Sequence, residues 1–72
     1  MWDAERAAEL ARTAYRYVGR THPADTPLEP LGIADMAVLE EQERGDWDGY
    51  VEGLRKLMRT AKREAIKRER AA

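Results

Sequence analysis

From Trp47 onward the apolar residues Trp47, Tyr50, Val51, Leu54, Leu57, Met58, Ala61 and Ala65 recur at helical spacing. At about 100° per residue they fall within an arc of roughly 120°, the width of a core-facing helical stripe. Asp46 stands where an N-cap belongs. Asp48 and Glu52 near the start, with Arg and Lys toward the end, complement the helix dipole. The stripe fails after Ala65, where Arg68 and Glu69 take the inward positions. The expectation is therefore a small helical domain over residues 1–65 and a basic helical tail over residues 66–72. An unbroken helix from Asp46 to Ala71 would be on the order of 39 Å long. A domain of this size is nearer 25 Å across, from about twice its radius of gyration. The last turns are expected to project or fray.

A second amphipathic helix is predicted from Asp3 to Val18. Ala4, Ala7, Leu10, Ala11, Ala14, Tyr15 and Val18 share one side, and Glu5, Arg6, Glu9, Arg12 and Arg16 the other. Asp3 is the expected cap, and Gly19 followed by Pro23 the expected stop. The alanine-rich face lets another helix approach closely. Residues 20–31 hold all three prolines, which makes a stiff connection rather than a floppy linker. Within it Thr26-Pro27-Leu28-Glu29 reads as a capping box, Pro30 argues against continuation, and Leu28 and Leu31 are expected to pin the segment on the core. A shorter middle helix is predicted from Gly32 to Arg44, with Ile33, Met36, Ala37 and Leu39 inward and Val38 elsewhere. The fold class is thus all-α: three helices, two longer and amphipathic, a proline-rich connection and a projecting basic C-terminal helix.

A chain of 72 residues without cysteine has neither disulfides nor thiolate metal sites to supplement a thin core. Partner binding or self-association remains as a further source of stability. The single histidine, His22, cannot build an imidazole metal centre alone. No apolar run approaches the roughly 20 residues of a membrane span, and the first residues do not read as a secretory signal. A cytoplasmic location, with no membrane association and no cofactor, is the expectation.

The Gly45-Asp46-Trp47 turn with Val51, Leu54 and Met58 resembles the turn and second helix of a tetratricopeptide-type hairpin. Tyr50 and Leu57 stand where that family has small residues, Val38 and Glu41 where it has glycine and an aromatic, and no second copy follows. A glycine ending one helix and an aspartate capping the next accounts for the same residues without the family. Asp46, Asp48 and Glu52 lack the spacing of a calcium loop. Consecutive acidic residues such as Glu40 and Glu41 point in different directions on a helix and make a solvated face rather than an acid–base pair. Nothing else reads as a catalytic constellation.

Charge is the most informative remaining signal. The net charge is −1, but residues 21–54 carry nine acidic groups against Arg44 alone, while residues 55–72 carry eight basic groups against Glu64 and Glu69. Arg55, Lys56, Arg59, Lys62, Arg63, Lys67 and Arg70 spread over an arc of about 140°, with Ile66 inside it. These residues point to a non-enzymatic helical interaction module that docks on a protein partner or on itself. The candidate contact residues are Arg55, Arg59, Lys62, Arg63, Ile66 and Lys67, with Trp2 as an aromatic anchor, because Arg and aromatic side chains dominate binding hot spots. A phage or mobile-element protein that assists assembly or disarms a host factor is one biology compatible with this reading. The alternative is a nucleic-acid-binding accessory protein using the same basic helix. Against it, the chain is not basic as a whole.

Overall fold

The computed structural model describes residues 2–21 and 29–71. They form three helices and no strand: α1 (Ala4–Thr21), α2 (Glu29–Arg44) and α3 (Trp47–Ala71). The architecture is all-α, with the middle helix the shortest.

Each helix end has a local cause. The Asp3 carboxylate accepts the Arg6 N–H at 2.8 Å and its carbonyl accepts the Ala7 N–H at 2.9 Å, which starts α1. Contrary to the expected stop at Val18, α1 runs through Gly19, and Gly45 alone among the described residues has positive φ. In the last turn the Thr21 hydroxyl donates to the Tyr17 and Val18 carbonyls at 3.1 and 3.2 Å. The middle helix begins three residues before the expected Gly32. Pro30 falls in its first turn, where an amide has no intrahelical partner to lose. The expected capping box at Thr26, with His22 and Leu28, lies outside the described residues.

The α2–α3 turn follows its sequence closely. Gly45 (φ 73°) donates to the Gln42 carbonyl at 3.1 Å and Asp46 donates to the Glu41 carbonyl at 3.3 Å, the paired bonds of a Schellman ending. Asp46 then caps α3, its carboxylate accepting the Gly49 N–H at 3.1 Å and its carbonyl the Tyr50 N–H at 2.8 Å.

Helix α3 is the centre of the molecule. Both other helices pack against it, whereas α1 and α2 make no close backbone approach to each other. Trp2 lies beside Arg55 and Thr21 accepts a bond from Arg68, so α1 runs parallel to α3. The hairpin makes α2 antiparallel to it. The core holds Ala7 and Ala14 of α1, Leu31 and Val38 of α2, and Tyr50, Val51, Leu54, Leu57 and Ala61 of α3. The result is a rod of 41 × 18 × 18 Å.

The inward face of α2 differs from the sequence expectation. Val38 is fully buried, whereas Ile33 is 72% exposed, Met36 59% and Leu39 42%. Gly53 supplies the reason. A Cβ at that position would sit 3.2 Å from Val38 Cγ2 and 3.6 Å from Val38 Cα. The bare glycine thus lets the two backbones close with Val38 against it. Once Val38 faces in, Leu31 one heptad earlier and Ala34 between them follow, and Ile33 and Met36 are turned outward.

Two polar contacts tie the periphery together. The Tyr15 hydroxyl donates to the Asp35 carboxylate across the gap between α1 and α2. Burial first, then this bond and the charge of Asp35, push the Tyr15 phenol well above its usual range. Near the far end Arg68 is half-buried and donates to the Thr21 carbonyl, while its Nε is buried without a partner. The inward row of α3 therefore changes chemistry after Ala65 and continues as helix to Ala71.

Candidate interaction surface

Because α1 and α2 occupy two sides of α3, a third side is left open. The periodicity that buries Leu54, Leu57 and Ala61 sends the intervening cations to this side. Arg55, Lys56, Arg59, Lys62, Arg63, Lys67 and Arg70 are all exposed on it, with Ile66 39% exposed among them. Two of these cations are engaged: Arg59 pairs with Glu52 at 3.3 Å and Lys67 with Glu64 at 3.7 Å. The Arg59–Glu52 pair is exposed on both sides and contributes little, about 0–1 kcal/mol, so it is easily exchanged for a partner's carboxylate. In the other pair Glu64 is half-buried. Among the described residues Arg55, Lys56, Lys62, Arg63 and Arg70 have no carboxylate within ion-pair distance.

Trp2 joins this surface through the tertiary fold. The parallel course of α1 brings its half-buried ring close to two guanidinium groups, Arg6 Cζ at 5.2 Å and Arg55 Cζ at 5.9 Å from the ring centroid. Both lie within the roughly 6 Å reach of a cation–π contact. The ring is thereby held at the edge of the cationic row. Of the residues singled out from the sequence, Arg55, Arg59, Lys62, Arg63, Ile66 and Lys67 share the open side of α3, and Trp2 borders it at the Arg55 end. Arg6 is an additional member that helical spacing along α3 could not reveal, because it comes from another helix.

The topology also stacks charge along the rod. Helix α1 runs with α3 and α2 against it, so Asp3, Glu5, Glu9, Glu40, Glu41, Glu43, Asp46, Asp48 and Glu52 collect at the hairpin end. Arg12, Arg16 and Arg20 join the α3 cations at the other end. For α1 and α3 this places carboxylates at the N-termini and cations at the C-termini, the arrangement that favours the helix dipole. In α2 it is opposed. Stabilisation of two helices accounts for part of the segregation, and the uncovered row on α3 is what remains.

No group of three or more His, Asp or Glu side chains converges as a metal set among the described residues. None of the described helices is long and apolar enough to cross a membrane. Comparison with known proteins gives no matching family model, no matching curated protein and no matching solved structure.

Proposed function

We propose that this chain is a non-enzymatic docking module whose open α3 side, bordered by Trp2, seats an acidic protein segment. The observation that carries the reading is the cationic row itself. It is long, uncovered and mostly unpaired, and it has an apolar residue, Ile66, in its middle and an aromatic ring at one end. Carboxylates of a partner would meet Arg55, Arg59, Lys62 and Arg63, while an apolar side chain would rest on Ile66. Arginine offers a planar fork suited to carboxylates, and Trp and Arg are the residue types that most often anchor interfaces.

The same cations could instead meet phosphates. The acidic hairpin end weighs against that reading, because a polyanion longer than the cationic row would meet Asp48 and Glu52 on the same helix. Ile66 and Trp2 also have no role in backbone phosphate contact. The test is affinity capture from native cell extract with the wild-type chain and with an Arg59→Glu/Lys62→Glu variant, each with and without nuclease. A protein recovered by the wild type, insensitive to nuclease and lost with the variant supports the reading. Recovery abolished by nuclease moves the function to nucleic acid. Equal recovery with both chains removes the α3 face as the site.

A further inference from the structure

Helix α2 carries apolar surface that the fold does not use. Ile33, Met36 and Ala37 form an outward row at helical spacing, and Glu40 continues it one turn later. Beside this row lies a shallow groove of about 410 Å³, lined by Ile33, Ala34 and Ala37 of α2 and by Lys56, Thr60 and Arg63 of α3. The two ends of the row are therefore of opposite character. Near Ile33 it is apolar with a basic edge, and near Glu40 it is acidic.

A surface of this kind is complementary to itself when reversed. We propose that a second copy of this chain occupies it, with the two α2 helices packed antiparallel about a two-fold axis between Ile33 and Met36. In that register Ile33 of one copy meets Met36 of the other, and the small Ala37 allows close approach. Each Glu40 arrives over the partner copy's Arg63. An isologous contact repeats every favourable pair twice, so one apolar pair and one ion pair become two of each. Glu40 has no cation within ion-pair distance among the described residues, and neither has Arg63 a carboxylate, so both are available within the monomer. The other exposed apolar side chain of α2, Leu39, lies on the flank toward α1 and outside the row. A contact confined to one helix face belongs to the small class of interfaces, below about 1,200 Å² in total, which dissociate readily. The dimer accordingly forms at micromolar or higher concentration.

Sedimentation of the full chain, over a concentration series reaching about 1 mM, tests the proposal. The wild type is expected to pass from monomer to dimer, and Ile33→Asp to remain monomeric with unchanged helical content. Glu40→Arg raises the dissociation constant about tenfold or more, and Glu40→Arg combined with Arg63→Glu recovers most of that loss. Both proposals use Arg63, so they are separated by variants that spare it: Arg59→Glu/Lys62→Glu, which disables the proposed α3 site, leaves dimerisation intact, and Ile33→Asp leaves capture of the acidic partner intact. A wild type that stays monomeric throughout overturns the proposal. So does a dimer that survives Ile33→Asp, or a charge exchange without recovery.

Discussion

Helices α1 and α2 pack on the same central helix, yet they spend their apolar residues differently. In α1 the fully buried positions are alanines, Ala7 and Ala14, with Leu10, Ala11, Tyr17 and Val18 partly covered, and the outer face is largely charged. In α2 Leu31 and Val38 are buried, but Ile33, Met36 and Leu39 face outward and Asp35 and Glu41 lie half-buried on the inner side. One helix is completed by its contact with α3, and the other has apolar surface left over. A helix that spreads its apolar residues around its circumference has no face that periodicity alone can choose. The choice then falls to its neighbour, here Gly53 against Val38.

The largest expected effect tests the α1 side of this contrast. Ala14 is fully buried against α3, so Ala14→Leu forces extra methylenes into a close helix contact. Overpacking of this kind costs about 1–3 kcal/mol, and for a domain this small the upper end is comparable with the whole stability. Chemical denaturation should show a midpoint far below that of the wild type. An unchanged midpoint would mean that α1 is not held closely on α3.

The two faces of α2 can be compared directly. Val38→Ala removes buried methyl groups worth about 0.8 kcal/mol each, plus the cavity left behind, for a loss of about 2 kcal/mol. Ile33→Ala changes an exposed residue and should alter monomer stability by no more than about 0.5 kcal/mol. Both are read by thermal melting at a concentration low enough to keep the chain monomeric. If Ile33→Ala were the costlier change, the inward face of α2 would be the one its sequence pattern first suggests.

That pattern marks where the sequence is and is not legible. The α3 stripe, the cap at Asp46 and the turn at Gly45 can be read from residue types, since each depends on neighbours within a few positions. The inward face of α2 cannot, because Ile33/Met36 and Leu31/Val38 are equally apolar alternatives until Gly53 selects between them. The open cationic side of α3 is visible in the helical spacing. Its meeting with Trp2 and Arg6 is not, since it requires α1 to run parallel to α3. Arg68 interrupts the apolar stripe and looks like the end of packing, yet its guanidinium reaches the last turn of α1. A charged head on a long stem can occupy an inward position while serving a carbonyl at a helix end.

The smallest effect concerns the one described side-chain bond that spans the gap between α1 and α2. Tyr15→Phe keeps the ring and removes the hydroxyl that Asp35 accepts. The contact is exposed, so at neutral pH the loss should be near the low end for a hydrogen bond, about 0.5 kcal/mol. Its pH dependence is more diagnostic. Burial, the bond to Asp35 and the carboxylate charge all disfavour the phenolate, so the folded chain holds the Tyr15 proton to higher pH than the unfolded chain does. The unfolded tyrosine titrates near pH 10. Below that value the stabilisation is fully present. As pH rises above it the unfolded state loses its proton first, and stability falls progressively toward the folded-state value. Tyr50 is raised in the same direction, chiefly by burial and then by the same carboxylate, and contributes to the same decline. Tyr15→Phe should therefore remove part of the alkaline loss of stability while leaving the Tyr50 part. Asp35→Asn keeps a hydrogen-bond acceptor but removes the charge, and should lessen the alkaline loss from both tyrosines. Denaturation midpoints at pH 8 and at a pH of about 10.5 for the three chains measure this. Equal alkaline losses in all three would mean that α1 and α2 are joined through α3 alone.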